Sequence, residues 1–193
     1  MKNKITKKKM RKEEVRQVEF PSDVNVTLSE DKKTITMKKN NMELKRTAEK
    51  EIKVSIDGNK VTLSCTNARR NEKRKIGTFE GHLKNIFAGL DKPFEYELEI
   101  CNVHFPMTVT FDKTKSEFII KNLLGEKHPR IVKVNKKIEV EIKAPSIKIK
   151  SYDIEAAGQA ASLLERGALI RCRDRNKFQD GIFITKKPGK SYL

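Results

Sequence analysis

The sequence predicts an α+β fold made of two duplicated domains, each a mostly antiparallel sheet packed on one helix. Three observations carry this. Short runs alternate apolar and polar residues, as half-buried strands do. Two longer stretches instead place apolar residues three and four apart, as amphipathic helices do. The order of these runs repeats along the chain. A shift of 83 carries Val26 onto Val109, Thr27 onto Thr110 and Leu28 onto Phe111, and then Ile35 onto Phe118, Met37 onto Ile120 and Lys38 onto Lys121. Both halves run strand, strand, helix, the mark of one small unit used twice.

In the first half, Val24, Val26 and Leu28 alternate with polar residues, and Ile35 and Met37 continue as a second strand after a polar turn. Ile52, Val54 and Ile56 form a third. Asp57-Gly58-Asn59 tolerates positive φ and marks a hairpin into Val61, Leu63 and Cys65. Residues 67–90 then change period: Ile76, Phe79, Leu83, Ile86, Phe87 and Leu90 form one stripe, closed by Gly89 with Pro93 beyond. In the second half the strands are Tyr96, Leu98 and Ile100; Met107, Val109 and Phe111; Phe118 and Ile120; Ile131 and Val134; Ile138, Val140 and Ile142; and Ile147 and Ile149. Asp153 is placed to cap the Ala-rich helical run 156–164, and residues 181–185 give a late strand. The implied domains are a basic arm at 1–19, a first domain at 20–92, a second at 93–186 and a basic tail at 187–193. The arm carries eight lysines and arginines against three glutamates, which predicts disorder until a polyanion neutralises it.

Composition narrows the chemistry. The 193 residues hold 43 Lys and Arg against 26 Asp and Glu, a net charge of +17 that draws polyanions. No apolar run reaches the roughly 20 residues a membrane-spanning helix needs, so no membrane partner is expected. Three scattered cysteines, Cys65, Cys101 and Cys172, suit a reducing compartment better than a disulfide framework. His82, His104 and His128 lack metal-ligand spacing, and neither a P-loop nor a nucleophile elbow occurs. No catalytic residue, metal site, cofactor or small-molecule substrate is therefore expected. With no tryptophan and few aromatics, a broad base-stacking platform is not expected either.

Positive charge clusters in four places. These are the arm; Arg69, Arg70, Lys73, Arg74 and Lys75 before the first helix; the loop 121–130 with Lys121, Lys127 and Arg130; and the carboxyl end with Arg166, Arg171, Arg173, Arg175, Lys177, Lys186, Lys187 and Lys190. Gly125 and Pro129 in the third cluster imply an ordered loop that a nucleic-acid backbone can approach closely. No duplex-DNA reading motif is legible, and shape-based RNA recognition suits the pattern better. The candidate RNA-binding residues are Gly125, Lys127, Arg130, Arg171, Arg173, Lys177, Lys186, Lys187, Lys190, Arg69 and Arg70.

Three stretches then carry a resemblance: His104-Phe105-Pro106, Asn122-Leu123-Leu124-Gly125-Glu126-Lys127, and Lys177-Phe178-Gln179-Asp180-Gly181-Ile182-Phe183. Arg70, Thr78, His82, Asn85 and Gly89 on the first helix add to it. In this order and spacing, over residues 20–187, the chain resembles the universal large-subunit ribosomal protein six family (protein nine in older eukaryotic naming), in its archaeal and eukaryotic branch. The arm and lysine content lean eukaryotic. The chain departs from the family after the first helix, where Pro93-Phe94 replaces a usual second glycine, and at Arg173-Asp174-Arg175-Asn176. The resemblance implies two duplicated α+β domains and a cytosolic ribosomal location, with nucleolar assembly if eukaryotic. It implies binding to large-subunit rRNA near the sarcin–ricin loop and stalk base, beside the translation-factor site, with neighbouring ribosomal proteins as further partners. It also implies that the second domain is the main RNA-contacting one, and it carries RNA contact onto Gly125, Lys127 and Lys177. The other candidates rest on charge. The alternative is a free RNA-binding or chaperone protein of the same fold.

Overall fold

The computed structural model describes residues 13–21, 23–29, 33–39, 42–66 and 68–192. The chain divides into two compact units, 1–90 and 91–193. Unit 1 contains β1 (Glu14–Glu19), β2 (Asn25–Leu28), β3 (Thr34–Lys39), β4 (Met42–Thr47), β5 (Lys53–Asp57), β6 (Lys60–Cys65) and α1 (Arg70–Asp91). Unit 2 contains β7 (Phe94–Cys101), β8 (Thr108–Asp112), β9 (Glu117–Lys121), β10 (Arg130–Lys133), β11 (Glu139–Lys143), β12 (Ser146–Ser151), α2 (Ile154–Gly167), β13 (Gly181–Lys187) and β14 (Lys190–Ser191). Each unit holds two sheets where the sequence led us to expect one. In unit 1 they are β1-β6-β5 and β2-β3-β4; in unit 2, β11-β12-β7-β13-β14 and β8-β9-β10. All the strand pairs are antiparallel.

The duplication holds in the hydrogen-bond register. Val26 pairs with Met37, and adding 83 to both gives the pair Val109 with Ile120; Leu28 with Ile35 likewise becomes Phe111 with Phe118. For the following strands the offset is 86: Met37–Leu44 answers to Ile120–Arg130 on the β4 side, and Val54–Leu63 to Val140–Ile149. The change of offset lies in one connector, residues 40–41 in unit 1 and the longer 122–129 in unit 2.

The same comparison explains the largest departure from the expected boundaries. Residues 14–19 are an ordered edge strand, not arm. β1 pairs with β6 from Glu14–Cys65 to Glu19–Lys60, as β7 pairs with β12 from Phe94–Ser151 to Glu99–Ser146. Its charges are neutralised by the fold itself: Arg16 donates to Glu80 on α1 at 2.7 Å, and Lys73 meets Glu14 at 3.0 Å. Its own Val18 is buried in the core. Residues 1–12, the rest of the expected arm, lie outside the described residues. At the other end, the expected tail folds back: Lys187 pairs with Lys190 across the Pro188-Gly189 turn, and Tyr192 N donates to Thr185 O.

The cores follow the periodicities. In α1 the buried positions are Ile76, Phe79, Leu83, Ile86, Phe87, Gly89 and Leu90, the stripe expected from spacing. Phe20 stacks on Phe87 with centroids 5.8 Å apart. α2 buries Ala156, Ala157, Ala160, Ala161 and Leu164, small residues that let the helix lie close to its sheet. Its cap is Asp153, whose carboxylate accepts from Glu155 N at 3.0 Å. The unit 2 core gathers Leu98, Ile100, Val109, Phe118, Ile120, Ile147, Ile149, Leu164 and Ile182 from both sheets and the helix.

Candidate nucleic-acid interface

The connector 122–129 leaves β9 through Asn122 (φ 58°), whose side-chain amide donates to Pro106 O at 2.9 Å, and makes a tight 3-10 turn, Leu123–Gly125. Leu123 is buried and pins the turn to the core. Gly125 has φ 78°, in the left-handed region, and the Phe105 ring lies 3.7 Å from where a side chain would begin. Gly125 is thus required by backbone conformation, and Phe105 forms the floor of the turn.

The segment after α2 has an anchor of its own. Asp180 is buried and accepts from Val103 N at 2.5 Å, from His104 N at 3.0 Å, and from the His104 ring nitrogen Nδ1. Burial pushes its carboxyl up, but the hydrogen bonds from His104 and Val103 outweigh burial and hold it below the usual aspartate range. The His104 ring stacks on Phe178 at 5.1 Å, and the Arg173 guanidinium lies over the same Phe178 ring, 5.1 Å from its centroid. Three further cations rest on rings: Arg175 over Phe183 at 4.9 Å, and Lys190 and Lys187 over Tyr192 at 5.0 and 5.2 Å.

Arg130, at the start of β10, joins these two regions. Nε and Nη2 bind both carboxylate oxygens of Glu126 in the connector, Nε at 2.8 Å. Nη1 donates to Gly167 O and Leu169 O, each at 2.9 Å, at the end of α2. Arg130 holds the Glu126 carboxyl below the ordinary glutamate range, mainly through these hydrogen bonds. Around the guanidinium an open groove of about 670 Å³ is lined by Leu124, Glu126, Ile131, Arg166, Leu169, Arg171 and Arg173 among others.

The structure therefore brings Gly125, Arg130, Arg171 and Arg173 to one region of unit 2. Lys127 and Lys177 are exposed, as is Arg171, and none of the three has an ion pair among the described residues. Lys186, Lys187 and Lys190 sit apart on the β13–β14 hairpin, with Lys186 3.7 Å from Glu97. Arg69 and Arg70 belong to unit 1, at the first turn of α1, where Glu72 accepts from Arg69 N at 3.0 Å. Two carboxylates in the arrangement, Glu126 and Asp180, were not among the sequence-based candidates. Glu126 stands four residues before Arg130, a visible pairing signal, but Asp180, though inside the quoted stretch 177–183, has no local pairing signal, since its partners are more than seventy residues away. Among the described residues no cluster of three or more His, Cys, Asp or Glu is placed to hold a metal, and no helix is long and apolar enough to cross a membrane.

No protein-family model matches the chain. Curated relatives do. Large ribosomal subunit protein uL6 of Archaeoglobus fulgidus is 37% identical over 182 residues, covering 91% of this chain and 90% of the relative. The chain belongs to the large ribosomal subunit protein uL6 family. The uL6 proteins of Haloarcula marismortui, 35% identical over 90% of this chain and 96% of the relative, and of Nanoarchaeum equitans, 41% identical over 74% and 77%, agree. These uL6 relatives are archaeal, in keeping with the archaeal and eukaryotic branch inferred from the motifs. uL6 proteins are ribosomal proteins, not enzymes.

Proposed function

We propose that the protein is a non-catalytic structural constituent of the large ribosomal subunit that binds large-subunit rRNA chiefly through unit 2. The observation that carries this reading is the set of exposed cations without ion pairs among the described residues, Lys127, Arg171 and Lys177, beside an ordered connector in a uL6 family member. Unpaired lysine and arginine side chains on a fixed scaffold bind phosphates with release of counterions. Rigid segments lose little entropy when they do so. Following the family resemblance, the RNA bound is that near the sarcin–ricin loop and stalk base, beside the translation-factor site, with neighbouring ribosomal proteins completing the environment. The location is the ribosome, cytosolic, with nucleolar assembly in a eukaryotic source.

The test is binding to a large-subunit rRNA fragment across a salt series, with cosedimentation on intact large subunits. Affinity should fall steeply with salt, and Lys177→Ala should weaken binding while lowering the slope of log K against log salt by roughly 0.7–0.9, the value of one phosphate contact. A flat salt profile, or equal affinity for unrelated duplex DNA, would sink the proposal. RNA binding without cosedimentation would favour the free RNA-binding or chaperone reading.

A further inference from the structure

Arg130 looks by charge like one more phosphate contact. Its geometry says otherwise. Four of the five guanidinium N–H groups are spent inside the fold, two on Glu126 and two on the carbonyls of Gly167 and Leu169. The duplication sharpens the point. At the matching register of unit 1, Met37 pairs with Leu44, a buried apolar residue; in unit 2, Ile120 pairs with Arg130. Unit 2 thus has an arginine where its sister unit has core, and has it beside the connector that is longer than its counterpart. Gly167 completes the arrangement, because an added Cβ there would lie 2.3 Å from Val132 Cγ2. The end of α2 lies against β10 at a distance only glycine permits, which puts the Gly167 carbonyl within reach of Arg130.

We propose that Glu126 and Arg130 form a clasp that holds two RNA-facing segments, the connector 122–129 and the segment 168–177, in one fixed arrangement, and that both are positioning residues, not phosphate contacts. The proposal rests on the RNA-binding reading above. Glu126 is the one carboxylate lining a groove that also holds Arg130, Arg166, Arg171 and Arg173, so plain electrostatics makes it a penalty for RNA binding. The clasp makes it a requirement. The two views predict opposite signs for the same substitution.

The experiment uses the full-length protein and a large-subunit rRNA fragment, with Glu126→Gln, Arg130→Gln, the double variant and Arg130→Lys. Glu126→Gln adds one positive charge to the net balance, yet binding should weaken about tenfold. The double variant should be no weaker than Arg130→Gln alone, since one clasp is lost once. Arg130→Lys keeps the charge but not the fork, and should bind as weakly as Arg130→Gln. On the free protein, amide exchange at residues 123–127 and 169–172 should rise together in Glu126→Gln and in Arg130→Gln. Binding by Glu126→Gln that equals or exceeds wild type overturns the clasp, as do additive losses in the double variant, rescue by Arg130→Lys, or unchanged amide exchange. Failure of the wild-type protein to bind rRNA at all would instead overturn the functional reading, and the exchange measurement would still decide the clasp.

Discussion

Gly167 and Gly81 are both helical glycines, yet alanine should act on them with opposite sign. In α1, nothing lies within 4 Å of a Cβ added at Gly81, so Gly81→Ala should stabilise by about 0.5–1 kcal/mol through helix propensity alone. At Gly167 the same gain meets Val132 Cγ2 at 2.3 Å, and overpacking costs about 1–3 kcal/mol, so a net loss is expected. Urea unfolding of both variants checks the pair, and stabilisation by Gly167→Ala would mean that the α2–β10 approach is looser than described. Asp180 gives a pH-dependent counterpart. Its folded pKa is held below the ordinary value of about 3.9, so the stability it confers is complete above that value and drains away as pH falls through the folded one. Asp180→Asn should cost about 1–3 kcal/mol near neutrality, because two backbone N–H donors lose a charged acceptor. The gap from wild type should narrow on acidification, which denaturant melts across a pH series would detect. A gap of constant size from neutrality into acid would show that the carboxylate charge contributes nothing.

At the scale of elements, apolar alternation and helical spacing marked most of the strands and both helices in the sequence, and the repeat of order was legible before any geometry. The misses have physical causes. β1 reads Glu-Val-Arg-Gln-Val-Glu, and its charges look like a solvated tail because the partners that neutralise them, Lys60, Lys73 and Glu80, lie far along the chain. β4 escaped because Leu44 is its one buried side chain. Arg130 was legible as a cation but not as a clasp, since the carbonyls it binds are nearly forty residues away. The β1 assignment has its own check. Deleting residues 1–12 should leave the exchange protection of β6 intact, whereas deleting 1–19 removes the β6 partner strand and the buried Val18, at a cost of roughly 2–4 kcal/mol to unit 1. Equal protection in the two truncations would show that β1 is dispensable. By the same logic β7, flanked by β12 and β13, should exchange more slowly than β1, which borders β6 alone among the described strands.

For the molecule as a whole, a net charge of +17 sets a general attraction to polyanions, and on the proposed reading the architecture decides where RNA is held. Most of the sequence-based candidates fall on unit 2, while Arg69 and Arg70 fall on unit 1. Replacing Arg69 and Arg70 together by alanine should therefore change rRNA affinity less than replacing Lys127 and Lys177 together. A larger effect in unit 1, read by the same salt titration, would reverse the division of labour. The register offsets carry one more consequence. A single residue inserted within a strand turns every later side chain to the opposite face. Lengthening the link between two rungs turns none of them, so Ile120 and Ile149 point inward as Met37 and Leu63 do. The length of that link is thus free to differ between the units while Ile120 and Ile149 stay in the core: the ladder counts its rungs and keeps no tally of the residues between them.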